Sequence, residues 1–214
     1  MIEYTKIDTP FNRDMEGTKK LIEGDYKNDA LRFLANLTWV GTEKIDGTNI
    51  SVVWDGHKVE FHGRTEKAQI QKELLEYLEG TFGGNTNEEL FEQLFGEKHV
   101  ILFGEGYGGK IQSGGKYRPD CAFILFDIYM PENNLWLKRD AIEDIAKAFS
   151  IEKVPILIKG TLSECIEYVK GRPFSRISIP DNTVIEGIVC KPEIDLFDRM
   201  GRRIITKIKV CDFT

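Results

Sequence analysis

Residues 43–50 read EKIDGTNI, set between the apolar runs LTWV (37–40) and ISVVW (50–54). A lysine, an aspartate and a glycine interrupt what is otherwise the patterning of buried strands. Two readings are open from these residues. Asp46-Gly47 is a turn and Lys44 a solvated residue at a strand edge, or Lys44 is a nucleophile carried on a strand.

Working outward, ISVVW and KVEFH (58–62) flank Asp55-Gly56, the strongest short-range hairpin signal. Further strands are predicted at 38–44, 99–103 (HVILF), 122–130 (AFILFDIYM), 154–158 (VPILI), 183–192 (TVIEGIVCKP) and 202–210 (RRIITKIKV). Helices are predicted at 15–22, 26–34, 67–78, 88–95, 140–149 and 163–169, with GTFGGNTN (80–87) as a loop. Strands outnumber helices and do not alternate with them, which points to an α+β fold. No repeat, low-complexity linker or clear domain boundary interrupts the chain.

The 214 residues (24.5 kDa) suit one large domain or two small ones, and 41% hydrophobic residues are enough to build a core. No segment approaches the ~20 apolar residues that span a bilayer, so no membrane partner is expected. The start, MIEYTKIDTP, lacks the basic end and apolar stretch of a signal peptide. Cys121, Cys165, Cys190 and Cys211 form no CxxC pair and read as reduced core thiols. His57, His62 and His99 show no metal-ligand spacing. A cytoplasmic protein is expected (host cytoplasm if phage-encoded). A net charge of −6 argues against a general nucleic-acid-coating role but leaves room for a local basic surface. The basic segments at 159–176 and GRRIITKIK (201–209) read as ordinary solvated charge.

GEGYGG (104–109) matches GxGxxG and approaches a P-loop. Either motif should open a helix whose N-terminal N–H groups receive phosphate. Here KIQSGGKYRPD follows, which is more glycine loop, and Ile111 stands where a P-loop needs Ser or Thr. The informative residue is Glu105, a carboxylate placed directly after an apolar strand.

KxDG alone should occur by chance in about one chain in twenty of this length. Its company carries more weight: Gly63-Arg64-Thr65, FGEG with Glu105, LFD with Phe126 and Asp127, IEGIVCKP with Glu186, and Lys207-Ile-Lys209, in that order. This series resembles the covalent nucleotidyltransferase superfamily of ATP-dependent DNA ligases, RNA ligases and capping guanylyltransferases. EKIDGTN, with Asn49, is most similar to the RNA ligase 2 branch, including its phage members, and the resemblance runs from Trp39 to Lys209.

The resemblance implies a nucleotidyltransferase fold of two antiparallel sheets flanked by helices. It implies an ATP-dependent RNA ligase whose Lys44 becomes adenylylated, passes AMP to a 5′-phosphate end and lets a 3′-hydroxyl displace it. Lys207 and Lys209, on one face of a strand with Ile208 opposite, would contact the α-phosphate and supply positive charge beside Lys44, provided their strand lies next to it. Asp46, Glu105 and Glu186 would hold Mg2+ or Mn2+, and Glu105 alternatively the ribose. Phe126 would face the adenine, Arg64 the sugar or an RNA phosphate, and Glu43, Ile45 and Asn49 the rest of the nucleotide. Five residues follow Lys209, too few for the OB or helical C-terminal domains of these families. The expectation is therefore a single nucleotidyltransferase domain over 1–214, acting on RNA (nicked duplex or RNA/DNA ends), with a separate RNA-binding partner as one option. The oligomeric state is not expressed in the sequence. A minimal DNA ligase, a guanylyltransferase and a catalytically retired binding module are the competing readings.

Overall fold

The computed structural model describes residues 2–65 and 67–213. In chain order the elements are β1 (Phe11–Arg13), β2 (Leu21–Tyr26), α1 (Asp29–Leu34), β3 (Trp39–Lys44), β4 (Thr48–Trp54), β5 (Val59–Gly63), α2 (Lys72–Phe82) and α3 (Asn85–Phe95). There follow β6 (Val100–Gly108), β7 (Cys121–Met130), β8 (Leu135–Trp136), α4 (Arg139–Ala148), β9 (Glu152–Lys153), β10 (Ile156–Gly160), α5 (Leu162–Lys170), β11 (Gly187–Pro192) and β12 (Thr206–Lys209). The chain forms two compact units. One comprises Asp46–Val154 with the residues up to Tyr4; the other comprises Thr5–Ile45 and the chain from Pro155 onward.

In the first unit, a sheet ordered β5-β4-β6-β7-β8 is antiparallel throughout that path, and β9 adds a short parallel pairing to β7. The strands alternate, so Ile50, Val52, Val100, Leu102, Phe123 and Leu125 share one face. They join the apolar sides of α2, α3 and α4 in a core centred on Phe82, Phe91, Phe123 and Phe149. The second unit holds a four-stranded sheet ordered β10-β3-β11-β12. Its inward residues, among them Trp39, Ile188, Cys190 and Ile208, form a core with Leu162, Ile166 and Val169 of α5. A capping box at Thr161 and Glu164 starts α5. A third, two-stranded sheet, β1-β2, belongs to this unit and was not anticipated.

Several sequence expectations are corrected. The predicted helix at 15–22 is a turn leading into β2. The Asp14 carboxylate accepts from the Gly17 and Thr18 amides and the Thr18 hydroxyl, an arrangement that offers the backbone an alternative to helical bonding. The helix predicted at 26–34 begins only at Asp29, where the Asn28 side chain accepts from the Leu31 amide. α2 starts five residues later than predicted and continues through Phe82, because Leu74, Leu78 and Phe82 are its buried face. The expected loop 80–87 shrinks to Gly83-Gly84 between α2 and α3. Cys165 and Cys190 are buried thiols as expected, but Cys211 is exposed and Cys121 half-buried. No helix among the described residues is long and apolar enough to cross a membrane.

Candidate active site

β3 delivers Lys44 by simple alternation: Trp39, Gly41 and Glu43 turn inward, while Val40, Thr42 and Lys44 lie on the open face. The condition set above, that the strand of Lys207 and Lys209 lie next to Lys44, is not met directly, because β11 intervenes between β3 and β12. The register makes up for the extra strand. Lys44 pairs with Gly187, and Gly187 pairs with Lys209, so all three occupy one row of the sheet. Directly paired residues point to the same side, and the middle member has no side chain. A Cβ on Gly187 would also meet the Ile208 carbonyl oxygen at 2.1 Å.

Over this gap reaches Glu186. Its Oε2 accepts from Lys44 Nζ at 2.6 Å and its Oε1 from Lys209 Nζ at 2.6 Å. Two cations therefore share one carboxylate, and the row keeps a surplus positive charge. Burial pulls the Lys209 pKa down, but the Glu186 hydrogen bond and charge, joined by Cys211 and Asp212, outweigh it and leave Lys209 raised above the ordinary lysine value. Lys209 is thus held as an ammonium. Lys207 lies one row along on the same face, paired with Val189, while Ile208 is buried on the opposite face.

Glu43 and Ile45, expected as nucleotide contacts, are interior residues at 1% and 3% exposure. Glu43 points to the face opposite Lys44. Its carboxylate accepts from the Ser175 hydroxyl at 2.5 Å and the Arg176 amide at 3.0 Å. Ser175 Oγ in turn accepts from the Ile177 and Ser178 amides. Glu43 thus anchors the segment between α5 and β11 beneath β3.

The remaining candidates lie in the first unit. The Asp46 amide donates to the Tyr117 hydroxyl at 3.2 Å, and its Oδ2 accepts from Lys116 Nζ at 3.4 Å. Gly47 is required by close approach rather than by a turn dihedral: a Cβ there would meet the Gly106 carbonyl at 2.3 Å and Glu105 Cγ at 2.8 Å. Asn49 pairs with Glu105 across β4 and β6, so both stand on the face away from the core. The glycines 104–108 are not a loop. They extend β6 between β4 and β7, which excludes the phosphate-loop reading. Arg64 is exposed, directly after β5.

Phe126 owes its position to an irregularity. Phe103 pairs with Asp127 and Gly104 with Leu125, so Phe126 is the extra residue of a β-bulge in β7. Bulges re-aim a side chain, often beside active sites. The Phe126 ring meets Tyr4 edge-on at 5.0 Å between centroids, and Tyr4 also packs against Phe103 (5.1 Å) and Trp136 (5.8 Å). The Tyr4 hydroxyl donates to Asp127 Oδ2, a carboxylate only 1% exposed. Sequence reasoning missed Tyr4, which no local pattern distinguishes. Removing its hydroxyl in Tyr4→Phe takes a donor from a buried carboxylate and should cost about 1–3 kcal/mol, read as a lower midpoint in urea unfolding.

Hard cations ask for carboxylate oxygens; Asp46 and Glu105 offer them in the first unit and Glu186 in the second. Among the described residues, no group of three or more His, Cys, Asp or Glu side chains is preassembled. Mg2+ is usually held by one or two carboxylates together with substrate phosphates, so the donors present fit it in kind.

A sequence model of the RNA ligase family matches residues 37–209. No curated protein matches the chain in sequence. Among solved structures of similar fold is a Naegleria gruberi RNA ligase mutant with ATP and Mn, at 18% identity and TM-score 0.64, covering 97% of this chain and 61% of that chain. A second mutant with AMP and Mn gives 18% identity and TM-score 0.62, covering 97% of this chain and 62% of that one. The same ligase with PPi gives 19% and 0.63, covering 98% and 62%. At this identity the likeness is one of fold, and the chain spans 61–62% of the length of these proteins.

Proposed function

The chain belongs to the RNA ligase family, and on that premise we propose that it is an ATP-dependent RNA ligase working through a covalent lysyl-AMP. The observation that carries this reading is the row Lys44–Gly187–Lys209 bridged by Glu186. It holds a lysine amine beside a second lysine that is kept positive, with excess charge complementary to a phosphate.

The Lys44 ammonium has no lone pair, so its proton must leave before attack, and Glu186 Oε2 is an acceptor within hydrogen-bond reach. The neutral amine then attacks the α-phosphorus of ATP. A P–N bond forms, the bond to the bridging oxygen breaks, and pyrophosphate departs. Lys209 and Lys207 offset the negative charge that gathers on the α-phosphate oxygens in the transition state. A divalent cation, Mg2+ or Mn2+, would be held through Glu186, Asp46 or Glu105 and would neutralise triphosphate charge. In the first unit, Phe126 offers its ring to the adenine, and Glu105 and Asn49 offer polar groups to the nucleotide. AMP then passes to a 5′-phosphate, and a 3′-hydroxyl displaces it to close the strand. The reading is of a nucleotidyltransferase domain acting in the cytoplasm.

The test is the intact mass of the purified protein before and after incubation with Mg2+ and either ATP or GTP, followed by sealing of RNA and DNA nicks. An AMP adduct and RNA joining are expected. A GMP adduct would make the protein a guanylyltransferase, and sealing confined to DNA a DNA ligase. No adduct with either nucleotide would leave a binding module.

A further inference from the structure

β12 is the last strand of its sheet, so one side of its backbone has no neighbouring strand to pair with. Its amides divide by alternation. Ile208 pairs with Ile188 of β11, and the Val210 amide donates inward to the Glu186 carbonyl at 3.0 Å. The outward amides are those of Lys207 and Lys209, the two lysines proposed above to face the α-phosphate. Both find acceptors outside the sheet. Lys207 N donates to the Asp8 carbonyl at 3.0 Å, and Lys209 N donates to Asp212 Oδ2 at 3.2 Å. The Asp8 carbonyl also accepts from the hydroxyl of the buried Thr206 at 2.9 Å.

Asp212 lies on the turn that follows β12 and is only 2% exposed. A buried charge is costly unless it is paired and hydrogen-bonded. Its partner is Arg13 of β1, 199 residues away, whose Nη2 donates to Asp212 Oδ1 at 2.5 Å. Nη1 of the same guanidinium donates to the Lys19 carbonyl, in the turn between β1 and β2. The two oxygens of Asp212 thus have separate tasks. One grips the β1–β2 hairpin, and the other grips the backbone of Lys209. Asp8, Arg13 and Asp212 belong to none of the motifs singled out in the sequence.

We propose that Asp212, held by Arg13, is a positioning residue for Lys209, and that the segment 8–13 serves β12 in place of a neighbouring strand. This deepens the ligase reading and rests on it for the reaction in which Lys209 takes part. A lysine that offsets charge on a phosphate oxygen must be placed to within about half an ångström, and its side chain is no better placed than its backbone. An ion pair that only stabilised the fold could end on any surface group. This one ends on the amide of a residue in the row that holds Lys44.

The experiment follows the AMP adduct over time, by intact mass with ATP and Mg2+, well below every thermal midpoint. Wild type, Asp212→Ala, Arg13→Ala, Arg13→Lys and Thr161→Ala are compared. Thr161→Ala removes the capping box of α5 in the same unit and shows what lost stability alone does. Asp212→Ala should slow the adduct at saturating ATP by roughly ten- to a hundred-fold, with the half-saturating ATP concentration unchanged. Arg13→Ala should be slowed less, and Arg13→Lys should restore the rate. Thr161→Ala should lower the midpoint and keep the wild-type rate. Hydrogen exchange at the amides of 206–210 should quicken in Asp212→Ala with or without nucleotide. A wild-type rate in both Asp212→Ala and Arg13→Ala, or an equal loss in Thr161→Ala, would overturn the proposal and leave the pair as an anchor of the fold. So would a loss cured by raising ATP, which would assign Asp212 to nucleotide binding. If Asp212→Ala does not fold, the Arg13 variants decide, and Arg13→Lys as slow as Arg13→Ala would overturn the proposal. Failure of the ligase reading shows separately, as a wild-type protein that forms no adduct while its exchange still responds to Asp212→Ala.

Discussion

Lys44→Arg should abolish the AMP adduct while leaving the protein folded. Arginine keeps the positive charge and can keep the bond to Glu186, so the row with Lys209 stays electrostatically whole. A guanidinium is not deprotonated in a protein and supplies no neutral amine for attack on phosphorus. Lys44→Ala removes the proposed nucleophile as well, but it also removes half of what Glu186 holds, so arginine is the cleaner substitution. Intact mass after incubation with ATP and Mg2+ should show the AMP increment in wild type and none in either variant, with thermal midpoints close to wild type for Lys44→Arg. An adduct on Lys44→Arg would mean that another residue is the nucleophile, and the bland reading of EKIDGTNI would stand.

Glu186→Gln should lower the rate of adduct formation by roughly 10²–10³, the scale on which a single preorganised electrostatic contact is felt in a transition state. The carboxylate bridges Lys44 and Lys209 over a glycine. Glutamine is nearly isosteric but cannot balance two ammonium groups, draw a divalent cation or take a proton from Lys44. Binding of ATP itself should suffer less, because the change adds positive charge to a phosphate-facing row. The variant also has a pH signature. Burial lowers Lys209, and Glu186 is the chief influence raising it, with smaller ones from Cys211 and Asp212. A raised lysine keeps its charge until the pH passes its folded-state value, so the wild-type alkaline limb lies above the ordinary lysine pKa. Without Glu186, burial dominates and the limb should move to lower pH. Rates measured across the alkaline range decide this. A wild-type rate in Glu186→Gln, or an unmoved alkaline limb, would remove Glu186 from the chemistry.

Much of the fold was legible because local rules govern it. The hairpin at Asp55-Gly56 formed as its turn chemistry dictates. The apolar runs at 99–103 and 122–130 became the paired central strands β6 and β7. Helices failed where a side chain competed with the backbone, as Asp14 does in the turn that replaces the predicted helix at 15–22. Helix edges shifted where tertiary burial outweighed local signals, as at Phe82, which holds α2 together past the predicted end.

By itself the sequence determined the chemical inventory: a lysine on a strand, carboxylates following strands, and Lys207 and Lys209 on one face. Alternation with a period of two fixes facing without any tertiary knowledge, and here it held. It also carried the family, through motifs in a set order. Only the tertiary structure decided which of these groups meet. Lys44 and Lys209 lie two strands apart, and the intervening β11 brings Gly187 and Glu186 between them. That register joins segments more than 140 residues apart, and no local propensity encodes it. Glu43 sits next to Lys44 in sequence yet is buried on the opposite face, tied to Ser175 and Arg176. Phe126 is re-aimed by a bulge that exists only because β7 pairs with β6 out of step. Pairing between distant strands depends on the burial of whole faces rather than on any residue's own preference, and so the row that would do the chemistry becomes visible only in the folded chain.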